Sequence, residues 1–312
     1  MDKQETISIV SVCDNHYAIL LVALIKSIEV NHHTSEKIDF YVVSDKISPQ
    51  IKSRIDKSIN KSIINIIWLE MEACIPKQFE LPTDKTSYPV KIYMKLFIPY
   101  FMPQHLEKII FLDVDMIMLE DVSTLWHIDL GDKIVAVVQD QFVKVMGNWG
   151  GVRNYEAFNL TADTKYFNTG LLVFNTKKWL ELDLTTQVIK CTNDNREFVV
   201  FGDQYAINAI LANQWKELDQ SWNRFAYSEE ERPFNIHFTG RKPFYKTYEF
   251  NEKYQKIFLG YLALTEWKNF KPVSETKRYF KKVKNISEKF KKLTSQLWAS
   301  IYNSPFFSWS KA

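Results

Sequence analysis

The chain has 312 residues, enough for one large domain with an appendage, and its 46% hydrophobic and 25% charged content is that of a globular protein. Its net charge of +3 is uneven: residues 271–312 hold ten Lys/Arg against two Glu, a net of +8, which leaves −5 on residues 1–270. A mildly acidic body with no nucleic-acid motif argues against nucleic acid as a partner, and the three distant cysteines Cys13, Cys74 and Cys191 exclude a disulfide framework and a paired-cysteine metal site.

From the N-terminus, Ile7 to Val12 is a β-rich run that leads into Cys13-Asp14-Asn15-His16-Tyr17. Leu20, Leu21, Leu24, Ile25 and Ile28 then follow helical spacing between Ala18 and Asn31. Ile38 to Val43 predicts a second strand, residues 49–59 a helix, and Ile63 to Trp68 a third strand. This alternation predicts an α/β domain with a mostly parallel sheet, whose ligands collect at the carboxyl ends of the strands, where Asp14 and Asn15 lie. Lys91 to Phe101 predicts a helix, Lys108 to Val114 a strand, and Ile134 to Val138 a strand that ends at Asp140. Residues 141–166, rich in Gly, Asn and Trp, suit a loop or lid. Tyr166 to Asn175 is a turn into a strand, and a short helix with Trp179 follows. There is no G-x-G-x-x-G and no Walker A loop, so dinucleotide and P-loop readings lose their main support.

Phe111-Leu112-Asp113-Val114-Asp115-Met116-Ile117-Met118-Leu119 is the most informative stretch. Ionised aspartates within an apolar strand are costly to desolvate unless a cation or strong donors face them. Residues i and i+2 of a strand share a face, so Asp113 and Asp115 can converge on one ligand. Hard oxygen ligands suit Mn²⁺ or Mg²⁺, which in turn neutralise a diphosphate. An acidic strand-to-loop turn is the plainer alternative.

Several segments, in order over residues 7–245, resemble the retaining glycosyltransferases of family 8, including bacterial lipopolysaccharide galactosyl- and glucosyltransferases and glycogenin. They are the strand ending in Asp14-Asn15, Lys95-Leu96-x-x-Pro99, Ile110-Phe111-Leu112-Asp113-Val114-Asp115, Tyr166-Phe167-Asn168-Thr169-Gly170, Gly202-Asp203-Gln204, and His237-Phe238-Thr239-Gly240-Arg241-Lys242-Pro243-Phe244. The resemblance implies a single GT-A, Rossmann-like catalytic domain over residues 1–250; the charge and spacing of the tail separately predict a C-terminal helical, basic and aromatic membrane-association region over 251–312. The resemblance also implies that Asp113, Asp115 and His237 bind Mn²⁺, with Mg²⁺ as a substitute, and that the metal holds the diphosphate of UDP-galactose or UDP-glucose. Gly240 and Lys242 then contact the same diphosphate, and Lys95, Val114 and Thr169 belong to the donor site. Asp14 and Asn15 fall in the uridine pocket, Asn168 near the donor sugar, Asp203 on sugar hydroxyls and Gln204 near the anomeric carbon, with Gln204, Asp203 and Lys242 as the catalytic set. Each also has a structural alternative: a helix cap for Asp14 and Asn15, an Asx turn for Asn168, a first-turn helix acid for Asp203, a core histidine for His237.

Three positions depart from the family pattern. Lys95 stands where an Arg is usual, the His237 motif is one residue short and ends in Phe244, and Tyr205 follows Gln204 where some bacterial members carry an acid. The last departure removes one candidate nucleophile and favours same-face attack over a covalent intermediate.

In the tail, Val283, Ile286, Phe290, Leu293, Leu297 and Ile301 follow helical spacing, with Lys281, Lys282, Lys284, Lys289, Lys291 and Lys292 largely between them and Trp298, Phe306, Phe307 and Trp309 near or beyond its end. This pattern suits an anionic membrane surface, or a helix packed on the catalytic body. A polar N-terminus and unpaired cysteines point to a cytoplasmic protein, peripheral at the inner face of the membrane, acting on a glycan acceptor such as lipopolysaccharide core. Two other functions fit the same residues: an Mn²⁺-dependent nucleotidyltransferase, or a non-catalytic nucleotide-sugar-binding protein attached to membrane.

Overall fold

The computed structural model describes residues 6–275 and, beyond them, residues 283, 286–291 and 294. Its strands are β1 (Thr6–Asp14), β2 (Lys37–Asp45), β3 (Ile64–Glu70), β4 (Lys108–Leu112), β5 (Met116–Met118), β6 (Val135–Val137), β7 (Leu171–Asn175), β8 (Trp215–Glu217), β9 (Arg224–Phe225) and β10 (Asn235–His237). Seven of them form one sheet in the order β3-β2-β1-β4-β7-β6-β8. β3, β2, β1 and β4 run parallel, and β7 is inserted antiparallel between β4 and β6. A smaller sheet, β5-β10-β9, sits beside it.

Alternation along the strands divides the core into two layers. Ile38, Phe40 and Val42 of β2 face one layer with the helix Ala18–Asn31, while Tyr41 and Val43 face the other with Tyr93, Tyr166 and Trp179. The helix Ala18–Asn31 is buried from Ala18 to Ile28, more than the apolar spacing predicts. Even Lys26 is buried there, and its ammonium donates to Glu29 at 2.6 Å. The helix Pro49–Ser58 starts where its residues dictate: Pro49 occupies the first turn and Ser48 accepts from the Ile51 amide. The helix Glu252–Ala263 adds Tyr254, Phe258 and Leu262 to the first layer, so the chain past residue 250 helps to build the core.

Two predicted elements differ from those observed. The helix expected over Lys91 to Phe101 is a 3-10 helix, Val90–Phe97, followed by a short α-helix, Ile98–Phe101. Pro99 has no N–H to donate and is tolerated only in a helix's first turn, which places the break before it. The strand expected over Lys108 to Val114 stops at Leu112. Asp113, Val114 and Asp115 form a turn that carries the chain from the large sheet to β5 in the small one. The aspartates therefore converge through a turn rather than through strand alternation.

No described helix is long and apolar enough to cross a membrane. In the tail, residues 286–291 are helical, with Ile286 and Phe290 exposed and Lys289 buried. Val283 is also exposed, whereas Lys281, Lys282, Lys284, Lys292, Leu293, Leu297, Trp298, Ile301, Phe306, Phe307 and Trp309 lie outside the described residues.

Candidate active site

The 113–115 turn and the end of β10 meet in a cleft of about 690 Å³. Asp113, Asp115 and His237 each offer a ligand atom there, all within 4.8 Å of one another. His237 Nε2 lies 3.4 Å from Asp115 Oδ1, and its Nδ1 lies 2.9 Å from Asn223 Oδ1. Asn223 uses its NH₂ to donate to Asn168 Oδ1 at 2.9 Å, so its oxygen is the acceptor for the imidazole. His237 thus carries its proton on Nδ1 and turns the lone pair of Nε2 toward the acids, the tautomer a metal ligand needs.

Burial pushes the Asp113 carboxyl up to about 6, against the pull of Lys95. Burial acts on Asp115 as well, but the Lys242 ammonium beside it outweighs burial and holds that carboxyl well below the usual range. The Lys242 ammonium donates to Asp115 Oδ2 and, at 2.7 Å, to the Phe238 carbonyl, so a cation already stands against this acid. Two carboxylates and one imidazole form a donor set that fits a divalent ion such as Mn²⁺ or Mg²⁺. Gly170 leaves room for the imidazole: a Cβ there would lie 2.5 Å from His237 Cε1.

Behind this trio lies a network of buried polar groups. Lys95, 3% exposed, donates to the Thr169 carbonyl at 2.9 Å and sits 2.9 Å from Asp203 Oδ2 and 3.9 Å from Asp113 Oδ1. Burial alone would lower its pKa, but Asp113 and Asp203 raise it above the ordinary lysine value. Thr169 donates to Asp203 Oδ2 at 2.8 Å. Asn168 donates to Gln204 Oε1 at 2.7 Å and to Asp140 Oδ2 at 3.1 Å, and it accepts from the Gly170 amide at 2.9 Å. One chain of hydrogen bonds therefore runs from Asp140 through Asn168 and Asn223 to His237.

Eleven predicted residues line the cleft: Lys95, Asp113, Val114, Asp115, Asn168, Thr169, Asp203, Gln204, His237, Gly240 and Lys242. Gly240 has φ +76, a conformation that favours glycine. Asp14 and Asn15 are not among the lining residues. Asp14 Oδ1 accepts from the His16 and Tyr17 amides at 3.0 and 2.9 Å, an Asx turn ahead of the helix rather than a cap on its first turn, while its Oδ2 accepts from Lys91 at 2.5 Å. Asn15 accepts from the Ser48 amide at 3.0 Å and lines a second cavity of about 610 Å³.

The structure adds residues that the sequence reading gave no role. Lys91 lines the cleft and bridges Asp14 to Asp45, the latter at 3.0 Å. Asp140 and Asn223 tie the network together, and Tyr88, Phe142, Trp149 and Phe201 reach the cleft wall. Asp140 carried a signal, as an acid at a strand end, and Phe142 and Trp149 lie in the segment 141–166 expected to be a loop or lid. Tyr205 donates to Asn154 Oδ1 at 2.6 Å and is absent from the cleft lining.

The sequence pattern described as glycosyl transferase family 8 matches residues 8–247. The chain belongs to glycosyl transferase family 8. It is similar to General stress protein A of Bacillus subtilis (strain 168), with 29% identity over 290 residues, covering 86% of this chain and 96% of that protein. It is also similar to a lipopolysaccharide 1,2-glucosyltransferase of Escherichia coli, with 22% identity over 295 residues, 92% of this chain and 80% of the relative. A solved structure of the galactosyltransferase LgtC with donor and acceptor sugar analogues matches with a TM-score of 0.68 at 21% identity, covering 84% of this chain and 99% of that one. The likeness to LgtC is one of fold: this family 8 member has the GT-A architecture, with a mostly parallel central sheet.

Proposed function

We propose that this family 8 protein transfers galactose or glucose from its UDP-sugar to a hydroxyl of a glycan acceptor, with retention of anomeric configuration. The observation that carries this reading is the convergence of Asp113, Asp115 and His237 in one cleft with the amides of Asn168 and Gln204. Mn²⁺ held by the three ligands would supply Lewis-acid stabilisation of the diphosphate leaving group. Lys242 adds a compact positive charge beside the same acids, and Gly240 lets the backbone approach phosphate. Asp203 and Asn168 orient sugar hydroxyls, and Gln204 lies toward the anomeric carbon. Lys91, which lines the cleft and is held from behind by Asp14, stands at the uridine end.

In the transfer, the bond from the anomeric carbon to the β-phosphate oxygen breaks and its electron pair leaves with UDP. The acceptor oxygen bonds to the same carbon from the same face, and its proton passes to the departing phosphate oxygen. No covalent enzyme intermediate is needed, since the acids behind the metal trio are committed elsewhere. Asp203 Oδ2 is held by Lys95 and Thr169, Asp140 Oδ1 accepts two backbone amides, and Gln204 is an amide.

The Escherichia coli relative's name and the basic tail support a lipopolysaccharide-core acceptor at a membrane surface. All the proposed site residues precede residue 250, which leaves 251–312 for attachment as well as for packing. The test is UDP release from UDP-galactose and UDP-glucose with and without Mn²⁺, comparing wild type with Asp115→Asn. Mn²⁺-dependent release lost in the variant is expected. No metal-dependent release from either donor overturns the reading.

A further inference from the structure

We propose that Trp149, braced by Phe142 and Phe201, is a stacking platform for the pyranose ring of the acceptor. This rests on the reading of the cleft as a sugar-transfer site and names where the second substrate sits. Trp149 is 67% exposed and Phe142 59%, although both line the cleft. Large apolar side chains left open at the wall of a polar site mark a binding surface.

The three rings are close to mutually perpendicular. Phe142 and Trp149 have centroids 6.1 Å apart at 89°, Trp149 and Phe201 5.7 Å apart at 88°, and Phe142 and Phe201 6.4 Å apart at 90°. Edge-to-face packing holds the rings in place without stacking them face on face, so ring surface stays available to a ligand.

The backbone is built to hold this arrangement. Asp140 Oδ1 accepts from the amides of Phe142 and Val143, both at 2.8 Å, while Oδ2 accepts from Asn168. One carboxylate therefore couples the platform to the amide that contacts Gln204. Gly150 follows Trp149 with φ +87, and a Cβ there would lie 2.2 Å from Phe201 Cε2, so only glycine lets the chain close on that ring. Further along, Tyr205 pins Asn154.

A pyranose suits this surface better than a lipid tail or a protein side chain. Its face of C–H groups is weakly positive and meets the negative face of an indole, while its rim of hydroxyls needs polar partners. Gln204 and Asp140 line the same cleft as the rings. The class that fits is a β-glucoside or β-galactoside, each of which presents an unbroken C–H face.

The test uses the full-length protein with Mn²⁺ and four glycosides: methyl β-glucoside, methyl β-galactoside, cellobiose and lactose. Saturation-transfer NMR is expected to detect ring C–H contact with at least one of them. Trp149→Ala should weaken that binding about tenfold, and Trp149→Phe should fall between. In transfer kinetics the acceptor KM of Trp149→Ala rises by a similar factor while the donor KM moves less than about twofold. If wild type turns over no UDP-hexose yet a glycoside binds through Trp149, the transfer reading falls and the platform stands. Equal glycoside binding by wild type and Trp149→Ala overturns the platform. So does failure of wild type to bind any of the four, or Trp149-dependent adsorption to anionic phospholipid vesicles in place of glycosides.

Discussion

His237 and Asn223 are joined by a single contact, imidazole Nδ1 to amide Oδ1 at 2.9 Å, and that contact decides which ring nitrogen faces the acids. Asn223 is 1% exposed and comes from the 3-10 helix Gln220–Asn223, just before β9. Its other amide atom donates to Asn168 in the buried polar network behind the acids. The imidazole that faces the acids and the amide of Asn168 are therefore both oriented by one side chain.

Asn223→Ala should lower Mn²⁺ affinity by about 10- to 100-fold, the usual effect of removing an outer-shell partner of a ligating histidine. Calorimetric titration with Mn²⁺ measures this without any sugar substrate. Affinity equal to wild type would show that the imidazole is oriented by something other than Asn223.

Gly170→Ala tests the room left for the same ring. The new methyl would stand 2.5 Å from His237 Cε1 and 2.9 Å from Met116 Cε. Met116 is flexible and can yield, but the imidazole is pinned at Nδ1 and must tilt. Expected outcomes are a stability loss of about 1–3 kcal/mol, typical of overpacking, and a clear loss of Mn²⁺ affinity. Thermal unfolding with and without Mn²⁺ reads both, and an unchanged metal-induced rise in Tm would refute the steric argument.

The Asp113 carboxyl gives a pH dependence whose sign is opposite to that of an ordinary paired acid. Burial first, opposed by Lys95, puts its folded pKa at about 6. The unfolded value is about 3.9, so the folded chain holds the extra proton between the two. Free of metal, this group's contribution to stability is greatest below the unfolded value and is lost as pH rises through about 6. Metal binding requires the carboxylate, so Mn²⁺ affinity should fall roughly tenfold per unit as pH drops below about 6. Titrations at pH 5, 6 and 7 measure it; affinity flat across that range would remove Asp113 from the ligand set.

The sequence made Asp113, Asp115 and His237 legible as candidates because each sits in a local pattern: two acids in an apolar run, and a histidine after an apolar residue with Gly240 and Lys242 close behind. Their route into the cleft was not legible. Nothing in the apolar run Phe111 to Leu119 signals that the chain leaves one sheet at Leu112 and enters another at Met116. Asn223 and Lys91 were missed for a different reason. Their partners, Asn168 and Asp14, lie 55 and 77 residues away, and no local spacing encodes such a pairing. Asn15 shows the converse: it sits beside a helix start that the sequence identifies, yet its amide oxygen is taken by Ser48 of the next unit. Among the described tail residues, the periodicity marks Ile286 and Phe290 as one apolar face, yet both are exposed and Lys289 is buried.

That inversion has an electrostatic cause, and it can be tested. Asp84 is fully buried, and its carboxylate accepts from Lys289 at 2.6 Å, from Tyr93 at 2.6 Å and from Thr86 at 2.6 Å. Burial would raise its pKa, but these partners outweigh it and lower the value below that of an ordinary aspartate. Tyr88 stands two residues past Thr86 on the cleft wall, so the pair ties the tail to a wall of the site. Lys289→Met leaves a buried charge without its cation and should destabilise the protein by about 3–5 kcal/mol. Replacing both partners, Asp84→Asn with Lys289→Met, should recover most of that loss, because no uncompensated charge remains. Urea denaturation of the wild type, the two single variants and the double variant closes the cycle. Additive losses would mean that Lys289 and Asp84 do not interact, and the tail's hold on the cleft wall would have to come from elsewhere.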